Sequence, residues 1–352
     1  MFDKENGMSS TPSGPTTSKA DDDQSSPSRQ PLHWGHLVAE NGGYLLARLG
    51  AANIDRRWIF LLMLLAVGIP VLTKATFPEK PTANVKAVFN HIEELKPGSR
   101  VLVSMDYDPA SAAELNPMAV SFLRHLASRG HKIYLMTLWP AASPLINENT
   151  NEVLNDEFAE KNLEYGKDWM FLGYQAGEVV AIKKVADNLR ALFPTDARGT
   201  SLEKIPMMEG IHSLKDFDLL LNVSAGYPGA KEWVQYATTT TRTPMAVGCT
   251  GVQGPQLYPY IPDRVLGILA AIKGAAEYEA ALSEKYPRFA EPRLNEGLQR
   301  MGPQLWAHLL MICLIVAGNI LYVLSRCFPL NVYGVGANSH RADVTPAPGG
   351  PA

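Results

Sequence analysis

Two aspartates that directly follow the first predicted strand are the clearest candidates for chemistry in this sequence. Asp106 and Asp108 flank Tyr107, and the apolar run RVLVSM (100–105) before them predicts a strand buried on both faces. A carboxylate pair could hold a metal ion or act as acid and base. The favoured alternative is that one aspartate caps the next helix while the other accepts hydrogen bonds from loop amides. No histidine or further carboxylate at ligand spacing supports a metal site.

Four more loops carry the hydroxyl, aromatic and glycine residues that usually line small-molecule sites. Each loop follows a predicted strand, and the carboxyl ends of parallel strands meet at one edge of a sheet. We therefore predict one ligand site at that edge, with no catalytic residue and no cofactor assigned. Its candidate residues are Asp106, Tyr107, Asp108, Trp139, Tyr174, Ser224, Gly226, Tyr227, Cys249 and Thr250.

Two of these loops permit a more specific interpretation. The segment SAGYPG (224–229) precedes a predicted helix, so its amides could bind an anion, and tight-turn chemistry explains the glycines equally well. It lacks the Lys-Ser/Thr pair of a nucleotide P-loop. Cys249 would act as a nucleophile only beside a base. The histidines of the domain lie in or beside predicted helices or in a linker, which favours a buried and inert thiol.

Strand and helix patterns alternate between residues 79 and 300, and this alternation defines the soluble domain. Strands are predicted at 100–105, 132–139, 169–172, 217–223 and 244–248, and helices at 85–95, 117–129, 151–163, 178–193, 230–237 and 264–286. The pattern predicts an α/β fold with a mostly parallel five-stranded sheet and helices on both faces, Rossmann-like or flavodoxin-like.

Three interpretations within this domain concern residues outside the five loops. Glu277, Tyr278 and Glu279 in the last predicted helix are interpreted as a solvated helix face. The small residues of KGAAEYEAAL (273–282) could also mark a helix–helix contact, for example in a dimer. Asp196 is interpreted as part of a turn at the opposite edge of the sheet.

Two apolar runs bracket the domain: WIFLLMLLAVGIPVLT (58–73) and LWAHLLMICLIVAGNILYVL (305–324). A helix needs about 20 mostly apolar residues to cross the hydrocarbon core. We therefore predict transmembrane helices at 57–77 and 304–326. The remaining segments, 1–56 and 327–352, are predicted to be disordered tails, the first with a short amphipathic helix near its end.

Charge and cysteine content narrow the class of protein. The net charge of −3 provides no basic field for nucleic acid. Of the three cysteines only Cys249 lies in the domain, which excludes an intradomain disulfide and a thiolate cluster. Arg56, Arg57 and Arg326 flank the outer ends of the apolar runs. The small excess of positive charge there favours cytoplasmic tails and an extracytoplasmic domain by the positive-inside rule, and a cytoplasmic domain is the alternative.

Several strings in the chain resemble an uncharacterised family of two-span bacterial membrane proteins with a Rossmann-like soluble domain. These strings are MTLWP (136–140), FLGYQAG (171–177), FPTD (193–196), IPMMEGI (205–211), SAGYPGAKEWVQY (224–236), GPQLYPY (254–260) and IKGAAEYE (272–279). The resemblance implies the same architecture in a bacterial inner membrane, and it transfers no catalytic residue.

Two functions are consistent with these features. The first is a membrane-anchored ligand-binding or accessory module of a membrane assembly, whose partners are the lipid bilayer and either another membrane protein or a second copy of the chain. The alternative is a membrane-tethered Rossmann-like enzyme acting on a nucleotide-linked or envelope small molecule. Folds of this class host many functions, so the predicted fold does not distinguish between these two alternatives.

Overall fold

A computed structural model describes residues 55–74 and 76–327 of the chain. Within those residues, six parallel strands form one sheet in the order β3-β2-β1-β4-β5-β6. The strands are β1 (Arg100–Asp106), β2 (Lys132–Thr137), β3 (Trp169–Tyr174), β4 (Leu219–Ser224), β5 (Met245–Cys249) and β6 (Ile268–Ala270). The strand order reverses between β1 and β4, as in doubly wound dinucleotide-binding folds.

Helices connect and cover the strands. They are α1 (Arg56–Thr73), α2 (Ala83–Glu94), α3 (Pro109–Arg129), α4 (Ala142–Thr150), α5 (Glu178–Leu192), α6 (Ala230–Trp233), α7 (Gly254–Leu257), α8 (Ala271–Lys285) and α9 (Glu296–Cys327). Two of them continue as π-helix: α4 through Asn151–Glu157 and α6 through Val234–Thr238.

Each face of the sheet has its own apolar core. One core contains residues of α2, α3 and α8, and the other contains residues of α5 and α6. The strands between them are almost entirely buried, which is why their sequences are continuous apolar runs rather than alternating patterns. The predicted α/β class with a parallel sheet covered on both faces is confirmed.

The prediction of five strands is wrong, because a sixth strand lies inside the segment predicted as one long helix (264–286). Ile268–Ala270 pairs with β5, and the helix begins only at Ala271. Three residues are too few to show alternation, so the apolar run is indistinguishable from the start of a buried helix. Gly267 permits the close approach, since a Cβ there would lie 2.2 Å from the carbonyl oxygen of Asn84 in α2.

Two helix boundaries also differ from the predicted ones. The helix α3 begins at Pro109 rather than 117, because Pro109 occupies the first turn, where a missing N–H costs nothing. The helix predicted at 151–163 begins at Ala142 as α4, and its π-helical continuation ends at Glu157. Asn162 then adopts a left-handed backbone conformation.

The helices α1 and α9 are long and apolar enough to cross a membrane. In the most apolar 18-residue stretch of each helix, 6% of the residues are buried in α1 and 0% in α9. A cavity of about 640 Å³ is lined by residues of both helices and of the segment after α1, among them Leu65, Ile69, Phe77, Trp306 and Leu310. The helix α1 ends four residues before the predicted 77. The predictions for residues 1–54 and 328–352 lie outside the described residues.

Candidate functional site

The carboxyl edge of the sheet gathers the five predicted loops. Because every strand pair is parallel, the segments that follow β1 to β5 all begin at this edge. The candidate residues therefore share one edge as predicted. Their side chains differ sharply in direction and in exposure.

Asp106 lies at the point where the strand order reverses, and it is completely buried. Its Oδ1 accepts the backbone N–H of Leu138 at 2.7 Å. Its Oδ2 accepts the hydroxyl of Ser104 at 2.7 Å, the amide of Asn222 at 2.8 Å and the indole N–H of Trp233 at 3.2 Å. Four donors therefore surround this carboxylate, and it joins β1, the loop after β2, β4 and α6.

Burial raises the pKa of Asp106 to about 6, although all four hydrogen bonds favour the ionised form. The loop-amide alternative describes this aspartate correctly, since Leu138 belongs to the loop after β2. A group whose oxygens already accept four hydrogen bonds has little capacity to bind a metal or abstract a proton. Asp106 is best described as a structural hub, a buried acceptor that joins several elements. It lies at the switch point, which is the place where the strand order reverses.

Asp108 and Tyr107 share no hydrogen-bond partner with Asp106. Asp108 is the N-cap of α3, and the hydrogen bonds that it accepts from the Ser111 hydroxyl at 2.5 Å and the Ser111 N–H at 3.0 Å lower its pKa. Tyr107 is buried, donates to the Asn116 carbonyl oxygen at 3.0 Å and accepts from Asn149 at 3.2 Å. The two aspartates have separate partners, and the capping alternative describes Asp108.

Side chains of two loops bond to the backbone of the loop after β4. The Trp139 indole N–H donates to the carbonyl of Pro228 at 2.9 Å and so joins the loop after β2 to the loop after β4. The ring also faces Gly226, where an added Cβ would lie 3.6 Å from it. Gln253, after β5, donates to the Gly226 carbonyl at 3.0 Å. The crevice in which doubly wound folds bind ligands is thus bridged by the chain's own side chains.

The amides where the SAGYPG loop meets α6 bond within the chain. The Ser224 hydroxyl accepts the N–H of Ala230 at 3.0 Å, and the Glu232 carboxylate accepts the N–H of Gly229 at 3.0 Å. A Cβ on Gly229 would lie 2.3 Å from the Gly226 carbonyl oxygen, so the turn requires glycine there. The geometry favours the tight-turn interpretation over an anion site.

The loop after β5 begins with a buried thiol. Cys249 is 0% exposed, and burial raises its pKa to about 12. Thr250 follows it, and its carbonyl accepts the amides of Gln253 and Gly254. A thiol this hard to ionise has the properties of an inert core residue rather than a nucleophile.

Tyr174 and Tyr227 are the candidate residues whose side chains face outward, with 41% and 58% of their surface exposed. Tyr174 also lines a cavity of about 400 Å³ at the end of β3, together with Ser143, Asn147 and Asp196. The predicted turn is present, since Asp196 Oδ1 accepts the N–H groups of Arg198 and Thr200, but the predicted position at the opposite edge is wrong. Its segment runs along β3, because the neighbouring Ala197 N–H donates to the Phe171 carbonyl.

Metal-ligating side chains are dispersed. In the described part of the chain, no group of three or more His, Cys, Asp and Glu side chains could hold a metal ion. The buried His125 bonds instead to the Tyr278 hydroxyl at 2.6 Å and to the Glu93 carboxylate at 3.0 Å. Burial lowers the pKa of His125 to about 4, so this histidine is neutral at physiological pH. It joins three helices.

The sequence interpretation missed a second cluster of carboxylates, on α8. Glu277, Tyr278 and Glu279 were interpreted as a solvated face, and that interpretation is wrong, since all three are at most 2% exposed. Glu277 accepts the N–H of Thr82 at 2.8 Å, directly before α2. The available signal was weak: two carboxylates stand among the small residues of KGAAEYEAAL, and burial of such a stretch would require partners for them.

Glu279 caps the helix α9. Its two oxygens accept the N–H groups of Gly297 and Leu298, each at 2.9 Å, in the first turn of that helix. Burial nevertheless raises the pKa of Glu279 to about 7. Gly297 packs directly on α8, where an added Cβ would lie 3.0 Å from the Ala276 nitrogen. The small residues of α8 thus form a helix–helix contact within one chain.

Comparison with family models, curated proteins and solved structures gives no match for this chain. The resemblance to two-span bacterial membrane proteins therefore stays a prediction.

Proposed function

We propose that this chain is a two-pass protein of a bacterial inner membrane whose α/β domain serves as an accessory module of a membrane assembly. The observation that carries the proposal is the pair of buried carboxylates on α8. Glu277 holds the segment that enters the domain from α1, and Glu279 holds the first turn of α9. Both connections are therefore fixed to one helix of the domain, which suits a part that keeps a set position in a larger structure.

The closed switch point supports an accessory role over a nucleotide-dependent enzyme. Asp106 is inaccessible, and Trp139 joins the loops above it. A dinucleotide would need this crevice and free backbone amides at its glycine-rich turn. The amides of Gly229 and Ala230 instead bond within the chain.

The alternative function is a membrane-tethered enzyme acting on a nucleotide-linked or envelope small molecule. The cavity at the end of β3 favours it, because Ser143, Asn147 and Gln175 provide polar groups there. Thermal-shift screening of the purified full chain with nucleotides and nucleotide sugars tests this alternative. The variant Asn147→Leu serves as its matched control, since it removes polar groups from the cavity and should abolish a genuine shift.

Native-membrane purification tests the accessory role. The full chain, tagged at its C-terminus and extracted in mild detergent, should migrate on native gels as a complex larger than the monomer and bring a membrane-protein partner or further copies of itself. Photo-crosslinkers placed on exposed domain residues should trap the same partner in intact membranes. A strictly monomeric protein that forms no crosslink in membranes would contradict the proposal.

A further inference from the structure

The exposed large apolar and aromatic side chains of the domain follow three of its strands. In the described ranges, those outside α1 and α9 all lie at the carboxyl end of β3 or in the segments that follow β3, β4 and β5. They are Tyr174, Val180, Tyr227, Tyr236, Val252 and Tyr258. The most exposed among the loop residues are Val252 at 84%, Tyr227 at 58% and Tyr258 at 53%.

The path of α9 brings this edge close to the apolar helices. Arg124, late in α3, donates to the carbonyl of Leu294 just before α9 begins, at 2.6 Å. Arg300, in the second turn of α9, donates to the carbonyl of Ala113 in the first turns of α3. The helix α9 therefore runs toward the N-terminal end of α3, which lies where β1 ends. It leaves the domain at the carboxyl edge.

Arg300 lies nearly level with that edge. Glu114, next to Ala113, accepts the N–H of Gly251 at 2.8 Å and so connects the first turns of α3 to the loop after β5. The apolar run begins at Leu305, five residues after Arg300, which is about 8 Å along a helix. The headgroup layer is about 5–8 Å thick on each side of the hydrocarbon core. The edge therefore reaches the depth of the headgroups.

The connection from α1 is equally short. Phe77 lines the cavity between α1 and α9 beside Trp306, and Thr82, five residues further on, is held by Glu277. Five extended residues span at most about 18 Å. Neither connection allows the domain to move far from the membrane surface.

We propose that the carboxyl edge of the sheet is a membrane-facing surface on which Tyr227, Val252 and Tyr258 contact the lipid headgroup layer. The inference rests on the proposed insertion of α1 and α9 in the same membrane, and it names the bilayer as the partner of this edge. Tyrosine suits this layer because its ring is apolar and its hydroxyl is polar. Burial of Val252 among lipid glycerol and acyl groups removes its apolar surface from water.

Site-directed spin labelling of the full chain tests the surface. Nitroxides are attached to V252C, Y258C and K167C, each in a C313S/C327S background that retains the buried Cys249. Lys167 is the matched control, because its side chain is 62% exposed and lies just before β3 at the opposite edge. In nanodiscs that contain a nickel-chelating lipid, relaxation of the labels at 252 and 258 should be accelerated severalfold over the label at 167.

A fourth label separates failure of this inference from failure of the membrane anchoring. Ile315 in α9 is 63% exposed, and a nitroxide at I315C should collide with oxygen and be protected from a water-soluble nickel chelate. If the label at 315 lies in lipid while the labels at 252 and 258 relax no faster than the label at 167, the edge is not membrane-facing. The proposed membrane insertion of α9 is then retained. Shielding of 252 and 258 from both lipid-bound and dissolved nickel would show protein cover and also overturn the inference. If the label at 315 is exposed to water, the result overturns both the proposed membrane insertion and the membrane-facing edge.

Discussion

At the scale of single residues, the environment of Asp106 distinguishes a structural role from a catalytic one. Asp106 is the acceptor in all four of its hydrogen bonds, and its partners are the donors. We expect Asp106→Asn to lower the free energy of unfolding by about 2–4 kcal/mol, because the new amide N–H₂ would face other donors in a buried site. Chemical denaturation of the full chain in detergent provides the measurement.

Asp108→Asn is the matched control for that substitution. Asparagine caps helices about as well as aspartate, so the expected change is below about 0.5 kcal/mol. If both variants had wild-type stability, the hub described for Asp106 would not exist, and a chemical role would return to consideration.

Cys249 offers a second prediction at this scale. In a C313S/C327S background, the native protein should resist maleimide at pH 8, because the thiol is buried and its pKa is raised to about 12. Labelling should become fast when the protein unfolds, which also makes this thiol a reporter of stability. Rapid labelling of the folded protein would support the nucleophile hypothesis instead.

At the scale of elements, Glu279 couples the stability of α9 to pH. Its pKa is about 7 in the folded state against an ordinary value of 4.5, so its protonated form favours folding. Its contribution is therefore fully present below pH 4.5 and is lost as the pH rises through 7. The stability difference between wild type and Glu279→Gln should decrease by about 3 kcal/mol over that interval.

The reactivity of Cys249 in denaturant titrations from pH 4.5 to 7.5 measures this difference. Glu284→Gln, on the same helix and exposed, is the control and should show no such trend. A pH-independent difference for Glu279→Gln would mean that the carboxyl group is ionised throughout and is not buried as described.

Gly267 provides a test of the sixth strand. We expect Gly267→Ala to destabilise the fold by about 3 kcal/mol, because its Cβ would meet the Asn84 carbonyl oxygen at 2.2 Å, and backbone cannot yield as a side chain can. Gly226→Ala should cost less than about 1 kcal/mol, since its nearest neighbour would be the Trp139 ring at 3.6 Å. Equal effects would place β6 and α2 further apart than the structure does.

The difference between these elements explains how much the sequence could predict. The central strands depend on neighbouring residues, and local patterns predicted them. Local patterns also suggested that one of the two aspartates caps the next helix, but they did not choose Asp108 and began that helix at 117. The strand Ile268–Ala270 and the role of Glu277 depend on contacts far along the chain, since the bond to Thr82 joins residues 195 positions apart. Periodicity carries no information on such partners, so a buried glutamate and a solvated one looked alike.

The same limit applies to the candidate site. The shared edge followed from parallel strands, and all ten candidate residues lie in loops or strand ends there. The sequence could not show that Trp139 and Gln253 would bridge the loops, because these bonds depend on how neighbouring strands are ordered.

At the scale of the whole molecule, orientation in the membrane is the first quantity to measure. The arginines beside the outer ends of α1 and α9 predict that the domain lies outside the cytoplasm. An alkaline phosphatase fused after Glu79 should be active, and a green fluorescent protein fused after Pro329 should fluoresce. The exchanged reporters at the same two positions serve as controls and should both be silent. The opposite pattern would place the domain in the cytoplasm and give the nucleotide screen priority.

The two carboxylates of α8 have a mechanical consequence. Because Glu277 and Glu279 lie two positions apart on one helix, the segment before α2 and the first turn of α9 cannot slide past each other without moving α8 or breaking these hydrogen bonds. The helix α8 follows β6 directly, so it also connects both segments to the sheet. Under the proposed insertion of α1 and α9, a displacement of α9 along the membrane normal would therefore strain the contacts of α8 with the sheet.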